Sequence, residues 1–301
     1  KLFNLTIKTR TKKFSTSAEL LNSIFYDLKT KSLNSTLLGL SSGFYDLDSL
    51  TQGFQKSDLI IIAGRPSMGK TALGLNIALN ITKNSRLPIL FFSLEMSKEQ
   101  IMYRLLSMET NISQMKLKSG KLSQNDWSKL NKIVKILSKL PIFIDDSFNL
   151  SILDIRSKIK TIIFEQNNIG LIILDYLQLM QSSNNERENR VQELSKITRS
   201  LKTLAREFNI PIIALSQLSR NVENRIDKRP ILSDLRESGP IEQDADLVLM
   251  LHQNNQYNSN QPNEQTLQIT ELLIAKQRNG PIGSINLKFD QKCTKFFDIN
   301  N

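Results

Sequence analysis

Gly64-Arg65-Pro66-Ser67-Met68-Gly69-Lys70-Thr71 fits the pattern G-x-x-x-x-G-K-[ST], a glycine-rich loop whose backbone N–H groups cradle nucleotide phosphates. The residues on either side decide the fold. Before it, Leu59-Ile60-Ile61-Ile62-Ala63 is an apolar run of strand length; after it, Ala72-Leu73-Gly74-Leu75-Asn76-Ile77-Ala78 has the spacing of an amphipathic helix. A helix N-terminus directly after such a loop adds a dipole that favours negative charge. Residues Gly64, Arg65, Pro66, Ser67, Met68, Gly69, Lys70, Thr71 and Ala72 are therefore expected to bind the polyphosphate of a nucleoside triphosphate with Mg2+. Lys70 would reach the β- and γ-phosphates and the Thr71 hydroxyl would hold Mg2+.

From residue 39 onward apolar runs alternate with helical periodicity, the pattern of an α/β protein with a mostly parallel twisted sheet flanked by helices. Strands are expected at 58–63, 88–93, 142–145, 171–175, 210–215, 247–251, 268–275 and 284–289. Helices are expected near 71–83, 98–108, 126–139, 152–166 and 191–208, with Ser97 and Gln100 forming a capping box. Residues 253–264, almost wholly polar, read as a solvated loop between two strands. Upstream, residues 1–14 are a basic tail, and 15–38 hold a linker helix (17–28, capped by Ser17) followed by a connector from Thr30 to Leu38. Leu20, Leu21, Ile24 and Leu28 put an apolar stripe on that helix with nothing local to cover it. Residues 39–301 are expected to form the nucleotide-binding domain.

Ligands of open α/β sheets bind beyond the carboxyl ends of the strands, so the residues ending each strand are the ones to inspect. Leu171-Ile172-Ile173-Leu174 ends in Asp175, the carboxylate expected to hold Mg2+ with Thr71. The strand through Phe92 and Ser93 runs into Glu95, placed to act as general base on an attacking water. The strand ending at Leu215 leads to Gln217, whose amide can sense a γ-phosphate.

With 40% hydrophobic residues and 23% charged, the chain can bury a sizeable core. It has no apolar run of bilayer length and no secretory signal. Its lone cysteine, Cys293, excludes a disulfide framework and a thiolate cluster, and its lone histidine, His252, reads as a strand-end residue without chemistry. The net charge of +11 suits an acidic partner, although an AT-rich coding bias toward Lys, Asn and Ile also produces it. Lys1 in place of an initiator Met is what a piece of a longer chain would show, and the basic start is compatible with a transit peptide.

The order of further motifs resembles the bacterial-type replicative DNA helicases, the DnaB family. They are Phe92-Ser93-Leu94-Glu95-Met96, Leu174-Asp175-Tyr176-Leu177-Gln178-Leu179-Met180 and Ala214-Leu215-Ser216-Gln217-Leu218-Ser219-Arg220. They continue with Asp227-Lys228-Arg229-Pro230, Ser233-Asp234-Leu235-Arg236-Glu237-Ser238-Gly239, Ile241-Glu242-Gln243-Asp244-Ala245-Asp246 and Ala275-Lys276-Gln277-Arg278-Asn279-Gly280-Pro281. The resemblance runs from about Ser15 to Phe297, and Gln52-Gly53 stands where the family usually has Gly-Gly.

It implies a RecA-type P-loop ATPase in a homo-hexameric ring, with the linker helix docking on the adjacent subunit. It implies that Lys276 and Arg278 act in trans on a neighbour's ATP, and that Arg236, Glu237 and Gly239 contact single-stranded DNA largely through backbone groups. A second DNA loop is expected within Gln181–Arg190, where Arg187 and Arg190 add charge beside Glu186 and Glu188. The implied activity is ATP-driven 5′→3′ translocation on one strand, unwinding the duplex at replication forks. The implied setting is the bacterial nucleoid or a plastid stroma. Primase and a helicase loader would be met through an N-terminal collar domain that precedes the region of resemblance. A filament-forming recombinase of the same fold, and an ATP-gated assembly ATPase that does not move DNA, are the alternatives.

Overall fold

The structure is a computed structural model that describes residues 16–33, 37–175, 177, 190–235, 239–253 and 267–299. It divides into two compact units, Lys1–Leu38 and Gly39–Asn301. In the first, α1 (Ser17–Leu33) carries Leu20, Leu21, Ile24, Phe25 and Tyr26 at half exposure or more. The helix runs past the expected end at residue 28, taking in the first four residues of the expected connector. Lys29 and Lys31 interrupt the apolar stripe there, but long-chain lysines are good helix formers and the helix continues through them.

The second unit starts with α2 (Tyr45–Thr51), then β1 (Leu59–Gly64), α3 (Lys70–Ser85), β2 (Ile89–Ser93), α4 (Lys98–Thr110), α5 (Gln114–Ser119) and α6 (Gln124–Leu137). It continues with β3 (Ile142–Asp145), α7 (Ile152–Gln166), β4 (Leu171–Asp175), α8 (Arg190–Phe208), β5 (Ile212–Gln217) and α9 (Gly239–Asp244). The last strands are β6 (Leu247–Gln253), β7 (Leu267–Gln277), β8 (Gly283–Asp290) and β9 (Lys295–Asp298). Among the described residues the strands form one sheet in the order β3-β2-β4-β5-β1-β6-β7-β8-β9. The strands from β3 across to β6 are parallel, and β6 to β9 form an antiparallel meander. The sheet is thus mostly parallel, as expected.

The pleat sends alternate side chains to opposite faces. Ile60 and Ile62 of β1 join a core with Leu73, Ile77, Phe91 and Ile101 under α3 and α4, while Leu59, Ile61 and Ala63 join another with Ile155, Ile159, Leu201 and Ala205 under α7 and α8. Two buried faces explain why these strands read as continuous apolar runs rather than alternating ones. The capping box of α4 forms between Ser97 and Gln100. His252 lies near the end of β6, half-buried beside Glu271; burial lowers the imidazole's pKa, which keeps it neutral at pH 7. The loop expected at 253–264 lies outside the described residues except Gln253, which still belongs to β6.

Candidate nucleotide site

The parallel pairing brings four strand ends to one edge of the sheet. Gly64 at the end of β1 is in register with Gln217 at the end of β5, and Ser93 of β2 is in register with Asp175 of β4. After Gly64 the chain leaves the sheet through a tight loop in which Ser67 (φ 66°) and Gly69 (φ 88°) are left-handed. Gly69 is the residue before α3, and a Cβ there would meet Phe296 at 3.0 Å, so both its conformation and its surroundings call for glycine. Lys70 then opens α3 and folds back, donating from Nζ to the carbonyls of Gly64 (3.0 Å) and Arg65 (3.2 Å).

Thr71 donates from Oγ1 to Asp175 Oδ2 at 2.7 Å. The Asp175 carboxyl is buried at 1% exposure, and burial pushes its pKa up to about 6, with the nearby Glu95 adding to the rise and Thr71 and Lys70 opposing it. Burial likewise lowers the pKa of the Lys70 ammonium, against the pull of Asp175 and Glu95. Glu95 sits two residues past the Ser93–Asp175 pair. Its turn is pinned by Leu94 N–H to Asp175 O (2.7 Å) and by Ser93 Oγ to Met96 O (2.7 Å), and its side chain is exposed to the cleft.

These residues line a cleft of about 670 Å³ walled on one side by α4 and α5 and on the other by the β8–β9 turn. The structure thereby brings Lys70, Thr71, Ala72, Glu95, Asp175 and Gln217 together. Arg104, from α4, is in the same cleft; its Nε is buried without a hydrogen-bond partner among the described residues, and burial lowers its pKa despite Asp175 and Glu95 beside it. Sequence reasoning missed Arg104. The available signal was its place on the inward stripe of α4, with Ile101, Leu105 and Met108 all buried around it.

Arg65 does not point into the cleft. Its guanidinium turns toward the segment after β5, donating to Leu218 O and to Glu223.

Lys276 and Arg278 are elsewhere. Lys276 Nζ donates to Glu242 O (2.5 Å) and Ala245 O (2.7 Å), and Arg278 donates to Gln243 O (2.6 Å) while lying 3.5 Å from Asp246 Oδ1. Asp246 also accepts from the backbone N–H of Leu59, the first residue of β1. The pair therefore sits at the amino edge of the sheet, about 17 Å along the strands from Gly64 at 3.3–3.4 Å per residue. Of the expected DNA-contacting residues, Arg236 and Glu237 lie outside the described residues and Gly239 opens α9. Residues 181–189 of the other expected loop are also outside them, and Arg190 opens α8.

A strand–loop–helix opened by a lysine, a Thr–Asp pair and strand-end Glu and Gln in a RecA-like sheet define a P-loop ATPase core. The chain belongs to the family of the DnaB-like helicase C-terminal domain, which matches residues 39–298. It is 68% identical over 297 residues to a probable replicative DNA helicase of Trieres chinensis, covering 99% of this chain and 65% of that protein. It is 49% identical over 263 residues to the replicative DNA helicase DnaB of Geobacillus stearothermophilus, covering 87% of this chain and 57% of that one. The chain thus spans about 57–65% of the length of these relatives. Among solved structures, one described as an ATPase domain superposes with a TM-score of 0.86 at 36% identity, over 95% of this chain and 100% of that one. A DnaB-like replicative helicase described with its primase interactions gives 0.82 at 36%, over 95% and 68%.

Proposed function

We propose that this chain is the motor of a replicative DNA helicase: it hydrolyses ATP in a homo-hexameric ring and uses the cycle to translocate on single-stranded DNA and open the duplex. One observation carries the reading. Lys70, Thr71, Asp175, Glu95 and Gln217 converge on one cleft, whereas Lys276 and Arg278 sit at the far edge of the same sheet, out of reach of it. A site that uses those cations must take them from a second copy, which a ring supplies. The names of the relatives favour this over the recombinase and assembly-ATPase readings.

In the proposed cycle Lys70 exchanges its two carbonyl partners for the β- and γ-phosphates. Glu95 accepts the proton of the attacking water. The Gln217 amide, level with Gly64, registers the γ-phosphate, and Arg104 supplies a cation from the α4 side. Thr71 and Asp175 fit Mg2+: they offer only oxygen donors, and no group of three or more His, Cys, Asp or Glu competes among the described residues. Mg2+ bound there would neutralise phosphate charge. Lys276 and Arg278 of one copy would stabilise the spread charge of the γ-phosphoryl on the next.

Arg236, Glu237 and Gly239, with the 181–190 segment, are assigned to DNA. The exposed apolar face of α1 supports a role for 15–38 as a linker docking on the adjacent subunit, with 1–14 a basic tail and 39–301 the motor domain. Primase and a loader would be met outside these residues, in the bacterial nucleoid or a plastid stroma; no described helix is long and apolar enough to cross a membrane.

The test is fork unwinding together with DNA-stimulated ATPase and electron microscopy of the assembly. Unwinding by closed rings is the expected result, and helical filaments would favour the recombinase. DNA affinity should be indifferent to base sequence and fall as salt rises, because contacts to backbone phosphate release counterions. A strong preference for one sequence at constant salt would argue against the DNA assignment.

A further inference from the structure

Arg65 lies inside the phosphate loop, yet its side chain works on the neighbouring strand. Nε (2.9 Å) and Nη2 (2.5 Å) both donate to Glu223 Oε1, and Nη1 donates to the Leu218 carbonyl at 3.1 Å. The guanidinium is largely enclosed, at 13% exposure, while Glu223 is 59% exposed. The backbone of the same residue faces the other way, its carbonyl accepting from Lys70 Nζ. Arg65 thus touches the phosphate-binding lysine with its main chain and the segment after Gln217 with its side chain.

The surroundings show what that contact controls. The register of β1 with β5 ends at Gly64 and Gln217, and one further bond, Leu218 N–H to Gly64 O at 3.3 Å, is long. Beyond it the loop climbs toward α3 while the β5 side turns into a short 3-10 segment, Arg220–Asn224. That segment is also drawn the other way, by the Leu218–Leu235 bridge and by Ser219 N–H to Asp234 O at 2.7 Å. Leu235 immediately precedes the stretch assigned to DNA. The fork of Arg65 ties the segment following Gln217 to the phosphate loop.

We propose that Arg65 and Glu223 form a positioning clamp that sets the height of the Gln217 amide relative to Lys70, and so the catalytic rate rather than nucleotide affinity. This rests on the ATPase reading of the cleft. The carboxylate of the pair is 59% exposed, so the pair contributes little stability and the clamp's value is geometric. A guanidinium fork fixes direction as well as distance, which a lysine ammonium does not. Misplacing a catalytic group by about 1 Å can cost on the order of 100-fold.

The test compares Arg65→Ala, Arg65→Lys, Glu223→Gln and the exchange Arg65→Glu/Glu223→Arg with the wild-type chain and Lys70→Ala. Turnover is measured with and without single-stranded DNA, and binding with a fluorescent ATP analogue. Arg65→Ala and Glu223→Gln should each lower kcat by about tenfold, an order of magnitude less than complete misplacement, while KM and analogue affinity stay within about threefold. Arg65→Lys should behave like Arg65→Ala, and the exchange should recover most of the lost kcat. Glu223→Gln is a near-isosteric change at an exposed position, so it reads out even if Arg65→Ala folds poorly.

A loss of analogue affinity with kcat unchanged would overturn the proposal, since Arg65 would then be a phosphate ligand or a scaffold for the loop. A silent Glu223→Gln would overturn it too. A wild-type chain without ATPase, or full turnover by Lys70→Ala, would instead remove the reading on which the clamp rests.

Discussion

The two edges of the central sheet carry similar numbers of charged groups and treat them in opposite ways. At the carboxyl edge the charges are left with demands that the chain itself does not meet. Asp175 is buried with its pKa raised to about 6, Arg104 keeps a buried Nε without a partner among the described residues, and burial lowers the pKa of the Lys70 ammonium. At the amino edge the described charges are paired. Lys202 bonds Asp246 and the Ser57 carbonyl and lies 4.0 Å from Asp58, while Lys276 and Arg278 take the carbonyls of Glu242 and Gln243 in α9 and of Ala245 just past it. Buried charge is costly unless compensated. One edge is therefore shaped for a charged ligand, and the other is a closed network whose cations would leave only for stronger partners.

The largest effects should come from the open edge. Lys70→Ala and Glu95→Gln are each expected to lower ATP turnover by about 10²–10⁴-fold, the range of a lost charge-stabilising or general-base group. They should differ in binding: Lys70→Ala loses nucleotide, whereas Glu95→Gln keeps it, because an amide cannot take a proton from water but leaves the phosphate contacts alone. Steady-state turnover beside equilibrium nucleotide binding checks this. Wild-type turnover in Glu95→Gln would remove Glu95 as the base.

The closed edge comes next, because its cations are proposed to act on a different copy. Arg278→Ala is expected to leave nucleotide binding nearly intact and to remove most DNA-stimulated turnover, by about 10³-fold if it acts as a trans finger. Mixing it with Glu95→Gln sharpens the contrast between the edges. A subunit with Arg278→Ala still has a complete open edge, and one with Glu95→Gln still has a complete closed edge. Mixed rings should then contain some whole interfaces and recover turnover above either parent. No recovery in rings shown by mass measurement to be mixed would place Arg278 in its own subunit's chemistry or in none.

The open edge was legible in the sequence and the closed edge was not, for a physical reason. A parallel strand buried on both faces reads as an apolar run with an abrupt end, so Gly64, Glu95, Asp175 and Gln217 announce themselves by what precedes them. Their meeting then follows from strand polarity alone. The closed edge depends on α9, only six residues long; α5 also has six and α2 has seven. Fewer than two turns cannot display a helical period, and β9, with four residues, cannot display alternation. Lys276 and Arg278 were found by resemblance, but their hold on the α9 carbonyls needs the end of a helix the sequence does not reveal. Arg104 is hidden differently: the helix that carries it is legible, but one cation on its buried stripe has no mark of function in the sequence.

The smallest expected effect tests whether the closed edge is as settled as its bonds suggest. Asp58 lies beside Asp246, and burial, reinforced by that second carboxylate, raises its pKa from 3.8 to about 6, against the opposing pull of Lys202 and Arg278. Between about pH 4 and pH 6 the folded chain therefore holds a proton on Asp58 that the unfolded chain has lost. Where the native state binds more protons, stability falls as pH rises, so the contribution of Asp58 declines between about pH 4 and pH 6 and stays low above that. Asp58→Asn removes the charge but keeps the shape. It should match the parent near pH 4, where Asp58 is protonated in the folded chain and half-protonated in the unfolded one, and exceed it at pH 7.5 in thermal melts, by about 2–4 °C per kcal/mol recovered. In an Arg278→Ala background the gain should be larger, since Asp58 then has one cation fewer. A lower melting temperature for Asp58→Asn at pH 7.5 would mean that Lys202 needs both carboxylates, and that the amino edge is held together by attraction with no unrelieved repulsion in it.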